Sequence, residues 1–123
     1  MILMKGVGEV VTSNILETSI EQVAGFPVVR AMGEIDAYSA PEFKAAITEA
    51  VDSGAKNVVI DLESVSYIDS SGFDALLTAV KHLKPKGGSI RLVGCSEAVV
   101  RMLTITHLDA DFLTFPTVAE AVG

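Results

Sequence analysis

One stretch of the chain, residues 57–83, restricts the possible folds more than any other. It opens with a short apolar run, Val58-Val59-Ile60-Asp61-Leu62, of the kind found in buried parallel strands. An amphipathic helix is predicted from Phe73 to Leu83, because apolar residues recur there at helical spacing. A buried strand followed by such a helix begins a crossover connection, which is typical of α/β proteins. The inward face of this helix is predicted to be Phe73, Leu76, Leu77 and Val80.

Two extended runs lie upstream, Ser19–Val23 and Pro27–Gly33, and the loop between them contains Gly25. Extended runs joined by a short glycine-containing loop predict an antiparallel hairpin. Pro27 has no N–H to donate, so it is expected to begin its strand or to lie at a sheet edge. Residues 1–16 show no clear period and are interpreted as an N-terminal arm, either mobile or a weak strand, ahead of a domain spanning 17–123.

The first helix has a defined predicted start. Ser39 and Glu42 have the spacing of a capping box, and Tyr38 and Phe43 occupy the two positions of a hydrophobic staple. Apolar residues then recur on one helical face, which is expected to pack on the sheet. They are Phe43, Ala46, Ile47, Ala50 and Val51.

The rest of the chain repeats this alternation of strands and helices. A strand is predicted at Ile90–Val93, and a helix capped by Ser96 follows it. The inward residues of that helix are predicted to be Val99, Met102 and Leu103. A short strand at Phe112–Phe115 and a last helix capped by Thr117 come next. The order β-β-α-β-α-β-α-(β)-α predicts a single α/β domain, a mixed, mostly parallel sheet of four to five strands with about four helices packed on it.

Charge and composition exclude several classes of function. Sixteen Asp and Glu against nine Lys and Arg give a net charge of −7, and the basic residues are scattered, so nucleic-acid binding is not expected. No apolar run approaches the roughly 20 residues that a membrane helix needs, so no membrane association is expected. The single cysteine, Cys95, excludes an intrachain disulfide and favours a reducing, cytoplasmic compartment.

The sequence lacks the common catalytic, metal and cofactor motifs. His82, His107 and Cys95 show no metal-ligand spacing. Ser70 and Ser71 are not in a nucleophile-elbow pattern, and the sequence assigns no base to them. We therefore predict no catalytic residue, no metal and no cofactor, and a protein that is not an enzyme.

The tetrapeptide Asp69-Ser70-Ser71-Gly72 places two hydroxyls and a carboxylate at the start of the second helix. Its simplest interpretation is a structural cap, because Ser and Asp are preferred N-caps and Ser71 with Asp74 makes an acidic variant of a capping box. An anion attached to one of these hydroxyls would lie near free backbone N–H groups. The position therefore also suits phosphorylation, and suits it better than catalysis.

Three segments in order carry a resemblance to a known family. The first is Gly33-Glu34-Ile35-Asp36, the second runs from Val58 to Gly72, and the third is Leu103-Thr104-Ile105-Thr106-His107-Leu108-Asp109. On these segments, and over about residues 17–122, the chain resembles the STAS family of sulfate-transporter domains and bacterial anti-sigma factor antagonists. The resemblance implies a single α/β domain without a cofactor.

By this resemblance the chain is expected to be an anti-sigma factor antagonist that switches partners. Its unphosphorylated form would bind a GHKL-type serine kinase that is also an anti-sigma factor, and would thereby free the sigma factor. Phosphorylation of Ser70 would end that binding, and a PP2C-type phosphatase would reset it. Ser71 is the second candidate for the acceptor.

The resemblance also implies a partner-binding surface around the acceptor. Asp36 is expected to contribute to partner recognition, although it also fits a turn or cap before the first helix. Asp69 is expected to orient its loop by hydrogen bonds to nearby N–H groups, and Gly72 to allow a tight turn or the close approach of a partner. The family usually continues S-G-leucine-G, whereas Phe73-Asp74 follows here, so Asp74 adds a negative charge near the acceptor.

The second helix is the expected docking face, because small residues there allow close approach. They are Ala75, Thr78 and Ala79. Two other functions remain open on the sequence: a STAS scaffold or regulatory module that is not phosphorylated, and a small-molecule or nucleotide binder using the neighbourhood of Asp36 and Ser70.

Overall fold

A computed structural model of the chain describes residues 3–5, 9–12 and 15–123. The described residues form one sheet whose strands follow each other in space in the same order as in the chain. The strands are β1 Leu3–Lys5, β2 Glu9–Thr12, β3 Leu16–Val23, β4 Phe26–Ile35, β5 Asn57–Ile68, β6 Ser89–Val93 and β7 Phe112–Phe115. The helices are α1 Ala40–Asp52, α2 Ser70–Leu83, α3 Glu97–Ile105 and α4 Val118–Val122, with a 3₁₀ turn at Lys84–Lys86.

The sheet is mixed, as predicted. Neighbouring strands from β1 to β4 are antiparallel, and those from β4 to β7 are parallel. The predicted hairpin is the β3–β4 pair, in which Pro27 is the second residue of its strand and lies opposite Gln22. The element order predicted from the sequence is confirmed from β3 onward, with five strands and four helices.

Two further strands lie within the predicted N-terminal arm. The described residues 3–5 and 9–12 form β1 and β2, which extend the sheet beyond β3. The division of the chain into an arm, 1–16, and a domain, 17–123, stays a prediction.

Three helices cover one face of the sheet and α4 covers part of the other. Successive side chains of a strand point to opposite faces, so Val28 and Val29 belong to different cores. Val29 packs in the large core with the buried faces of α1, α2 and α3. Val28 packs with Val59, Val93 and Ala121 of α4. Among the described residues, none of the helices has both the length and the apolar character of a membrane span.

The strand β5 is longer than the apolar run predicted at 58–62, since it continues to Ile68. It stays paired with β4 to the end, where Ile35 lies opposite Ile68 and the Asp69 N–H donates to the Ile35 carbonyl at 3.0 Å. The register shifts twice on the way, between Arg30 and Met32 and between Gly33 and Glu34. Because Ile35 pairs with Ile68, both strands end at the same edge of the sheet and at the same level.

Ser39 is the N-cap residue of α1, as predicted, but the predicted capping box is wrong, because the Ser39 side chain makes no cap hydrogen bond. Its hydroxyl donates to the Glu34 carbonyl at 2.8 Å and accepts the Asp36 N–H at 3.0 Å, so the preceding turn uses it instead. Tyr38 is 79% exposed and therefore does not form the predicted staple with Phe43. The predicted caps of α3 and α4 are confirmed, since Ser96 accepts the Val99 N–H and Thr117 accepts the Glu120 N–H.

Two predicted inward residues lie closer to the surface than expected. Leu77 of α2 is only half-buried, and Met102 of α3 is 40% exposed. The inward face of α2 instead includes Ala75 and Ala79, each 3% exposed, because α1 packs along that side of the helix. The burial of the other predicted inward residues of these two helices is confirmed: Phe73, Leu76, Val80, Val99 and Leu103.

We predict that Gly33→Ala lowers the free energy of unfolding by at least about 2 kcal/mol more than Gly54→Ala does. Both glycines have positive φ, +117° and +91°, so both substitutions carry backbone strain. Only at Gly33 would the new methyl group overlap a backbone atom, the Ile15 carbonyl oxygen. Urea denaturation measures both variants, and equal losses would contradict the packing argument.

Candidate functional site

The first turn of α2 begins at Ser70 and is capped by Asp69. Asp69 is extended, with φ −109° and ψ −171°, and its Oδ1 accepts the Ser71 N–H at 2.8 Å. The expected hydrogen bond from a nearby N–H to the Asp69 side chain is therefore confirmed. The predicted capping box of Ser71 with Asp74 is wrong, because Ser71 lies inside the helix and Asp69 is the N-cap.

The two hydroxyls of this turn differ in accessibility. Ser70 is exposed, whereas Ser71 is half-buried and Gly72 is buried. Among the described residues, no hydrogen bond is made by the Ser70 hydroxyl. Ser70 is therefore the hydroxyl of this turn that a second protein reaches most easily.

Most N–H groups of the turn already have acceptors. The Asp69 side chain takes the Ser71 N–H, and the Asp69 carbonyl accepts from Gly72 at 3.1 Å and from Phe73 at 3.2 Å. The expectation that an anion at Ser70 would lie near several free N–H groups is therefore wrong. What remains to favour an anion at this end is the helix dipole, whose effect is confined to the first turn of the helix.

Asp36 organises the turn that leads into α1. Its Oδ1 accepts the N–H groups of Tyr38 and Ser39, both at 2.9 Å, and its carbonyl accepts the Ala40 N–H. The hydrogen bond from the Ser39 backbone N–H is the main reason that the pKa of Asp36 is lowered below its ordinary value. Asp36 is thus an ionised turn residue, which was one of its two interpretations from the sequence. A contribution to partner binding stays a prediction.

An open groove lies between the N-terminal parts of α1 and α2. It brings together several predicted residues, Ser70, Ser71, Asp74 and Ala75, with the start of α1. On the other side it is lined by Ala37 of the preceding turn and by Ala40, Pro41 and Lys44 of α1. Thr78 lies one turn further along α2, where its hydroxyl donates to the Asp74 carbonyl at 2.9 Å.

The structure corrects the predicted docking face of α2. Ala75 is 3% exposed and forms part of the groove wall, and Ala79 is buried to the same extent, so neither side chain is on the outer face. These residues are small because α1 packs against them. Asp74 is exposed and remains available to a partner.

The absence of a side chain at Gly72 is needed for helix packing and not for a tight turn. Its backbone is helical, and a Cβ at this position would lie 2.8 Å from Cγ2 of Ile35 and equally near Cδ1 of Ile68. The missing side chain lets the first turn of α2 rest directly on the last residues of β4 and β5. The predicted tight turn at Gly72 is therefore wrong, and close approach of a partner is not favoured because the residue is buried.

Lys44 is the charged residue of this groove that sequence reasoning missed. It is exposed and lines the same groove as Ser70 and Asp74. Topology could have indicated it, because helices that follow adjacent parallel strands start at the same edge of the sheet. The first turns of α1 and α2 must then lie side by side.

Nothing else in the described residues resembles a reactive centre. Burial raises the pKa of the Cys95 thiol to about 11, which disfavours the thiolate that nucleophilic attack needs. His82 and His107 are exposed, and neither is hydrogen-bonded to Ser70 or Ser71 in the described part of the chain. The described residues contain no cluster of His, Cys, Asp and Glu that could hold a metal ion.

Comparison with known proteins confirms the resemblance found in the sequence. A family model described as "STAS domain" matches residues 17–121. An anti-sigma-B factor antagonist of Bacillus subtilis is 39% identical over 80 residues, which are 65% of this chain and 72% of that protein. The protein of the same name from Staphylococcus aureus is 31% identical over 83 residues, 68% of this chain and 77% of that one. The crystal structure of an anti-sigma factor antagonist from Mycobacterium paratuberculosis has a TM-score of 0.78 at 32% identity, covering 87% of this chain and 91% of that chain.

Asp69→Ala is expected to destabilise the domain by about 1 kcal/mol, because it removes the side-chain acceptor of the Ser71 N–H. Asp74→Ala is the matched control, since Asp74 is exposed and its carboxylate caps no N–H group in the described structure. It should change stability by less than about 0.5 kcal/mol. Thermal or urea unfolding separates the two, and an equal effect would show that Asp69 is not the cap that matters.

Proposed function

The chain belongs to the STAS domain family, and we propose that it is an anti-sigma factor antagonist controlled by phosphorylation of Ser70. The unphosphorylated form binds an anti-sigma factor that is also a GHKL-type serine kinase, and this binding releases the sigma factor. Phosphorylation ends the binding, and a PP2C-type phosphatase restores it. Such a protein performs no reaction itself and works in the cytoplasm, where transcription takes place.

The exposure of Ser70 is the observation that supports this function most directly. A kinase needs the acceptor hydroxyl free of internal hydrogen bonds and open to its active site. Ser70 is exposed and directly follows the Asp69 cap, so its backbone position is fixed while its side chain is accessible. Ser71 is half-buried and is the weaker candidate.

A phosphate on Ser70 should leave the fold intact. It carries about −1.5 to −2 charges at neutral pH, and a negative charge at a helix N-terminus is favourable by roughly 0.3–1 kcal/mol. The groove also contains a cation, Lys44, that can offset part of the repulsion from Asp74. The modification therefore acts on the surface presented to a partner.

The cost of phosphorylation arises in the complex. A docked partner would remove water from the phosphate. Asp69 and Asp74 lie close to the phosphate along the chain, and Asp36 follows the neighbouring strand, so all three carboxylates would then repel it. Loss of a charge-assisted contact together with new repulsion costs about 3–5 kcal/mol. That range corresponds to a dissociation constant that is about 10²- to 10³·⁵-fold higher for the phosphorylated form, which is sufficient for a switch.

Substitution of the acceptor tests the switch. We predict that Ser70→Ala removes phosphorylation by the cognate kinase and keeps partner binding. Ser70→Asp should weaken binding while lowering the melting temperature by no more than a degree or two. Intact mass after incubation with kinase and ATP, and calorimetric titration of the partner, measure both effects. Ser71→Ala is the matched control and should still gain one phosphate.

Two results would redirect the proposal. Equal partner binding by the wild type, Ser70→Ala and Ser70→Asp would remove the switch and favour the scaffold or regulatory module. Stabilisation of the chain by small metabolites or nucleotides, without phosphorylation, would favour a binder.

A second prediction concerns Lys44 as the local counter-charge. Phosphorylation is expected to raise the melting temperature of the wild type, and to raise it less in Lys44→Gln, because the phosphate then lacks a nearby cation. Lys81→Gln is the control, since Lys81 is also exposed but lies in the last turn of α2. Differential scanning fluorimetry of each variant with and without phosphate gives the comparison, and equal shifts in the two variants would exclude Lys44.

A further inference from the structure

The strand β5 extends past its neighbour β6. It pairs with β4 as far as Ile68, but with β6 only from Asn57 to Asp61, where Asp61 lies opposite Val93. Beyond Asp61, the Glu63 N–H donates to the Asp61 side chain at 3.0 Å. In the described structure, residues 64–68 are therefore paired along one edge only. An unpaired strand edge is a template for another strand.

A cavity of about 260 Å³ lies along this free edge, and α3 forms its opposite wall. From β5 it is lined by the consecutive residues Val65, Ser66, Tyr67 and Ile68. Consecutive side chains of a strand point to opposite faces. A cavity that touches four residues in succession therefore reaches the edge of the strand, and Leu62, Phe73 and Val99 line it from the large core. Ala98 and Met102 contribute from α3.

The size and lining of the cavity restrict its occupant. Its volume is below the roughly 300–1,000 Å³ of pockets that enclose a drug-sized ligand. The lining is mainly apolar, and the Ser66 hydroxyl already donates to the Gly33 carbonyl at 3.3 Å. A single apolar side chain fits these properties, with its own backbone lying against the free edge of β5.

The charges near the cavity favour a basic segment. Glu63 precedes the free edge of β5, and Glu97 begins α3 beside Ala98. Both carboxylates are exposed, whereas α3 contains one cationic residue, Arg101. The chain as a whole carries a net charge of −7, which attracts a positively charged partner over a longer range.

We propose that the groove between the free edge of β5 and α3, the β5–α3 groove, binds an extended segment of a partner protein. The segment adds to the sheet as a strand next to residues 64–68, places one apolar side chain in the cavity, and carries Lys or Arg toward Glu63 and Glu97. Backbone hydrogen bonds supply affinity in this mode, and the side-chain pocket supplies selectivity. The groove lies near Ser70, the proposed phosphorylation site, because Ile68 and Phe73, which line the cavity, lie on either side of Ser70 in the chain.

Selection from a phage-displayed library of random heptapeptides, against the full chain, tests the proposal without a kinase or a phosphate. The selected peptides should share one large apolar position with Lys or Arg nearby and lack proline beside it. Synthetic peptides of those sequences should slow amide hydrogen exchange in residues 64–68 by tenfold or more. Met102→Glu should weaken their binding at least tenfold, because it puts a charge at the cavity.

Val100→Glu is the matched control for Met102→Glu. Val100 is also an apolar residue of α3 and is 44% exposed, compared with 40% for Met102, but it does not line the cavity. The control should change peptide affinity less than twofold, and circular dichroism checks that both variants fold.

Three results would overturn the proposal. The first is a selection that enriches no peptide, and the second is equal weakening by the two variants. The third is binding that leaves hydrogen exchange in residues 64–68 unchanged, which would show an apolar pocket without strand addition. None of these results bears on Ser70, and a failure of the switch at Ser70 would leave the groove in place, so the two proposals fail separately.

Discussion

The parallel pairing of β4 with β5 up to their last residues is the constraint on which the site depends. Ile35 and Ile68 end the two strands side by side, and the Asp69 N–H donates to the Ile35 carbonyl. The chain therefore leaves the sheet twice at one place, each time through an aspartate that leads into a helix. The absence of a side chain at Gly72 lets α2 rest on these two isoleucines. Ser70 therefore lines a groove between the first turns of α1 and α2.

Two carboxylates of the site also stabilise the local backbone. Asp36 and Asp69 each accept backbone N–H groups, so they fix the turns before α1 and α2. Most N–H groups of the first turn of α2 already have acceptors within the chain. A phosphate on Ser70 would therefore interact with the helix dipole and Lys44, and with few free N–H donors. A charge added there changes what a partner meets more than it changes how the domain folds. This division suits a protein that signals through its surface.

Much of this architecture could be predicted from the sequence, because it depends on local periodicity. The hairpin, the buried run of β5, the faces of α1 and the caps Ser96 and Thr117 all follow from patterns within a few residues. The capping box at Ser39 does not form because Asp36, outside the pattern, engages the same hydroxyl. The burial of Ala75 and Ala79 could not be predicted in this way, because periodicity does not say on which side a second helix will pack. The β5–α3 groove depends on where β6 stops relative to β5, and strand register cannot be read from one sequence.

We propose above all that modification of Ser70 alters the surface of the domain and leaves its fold unchanged. Amide chemical shifts of the chain, recorded by NMR before and after phosphorylation of Ser70, test it most directly. We expect shift changes confined to the turn after β4, the first half of α1, the end of β5 with Asp69, and the first two turns of α2, with the rest of the spectrum unchanged. Loss of dispersion, or changes that spread through β6, β7 and α4, would contradict it.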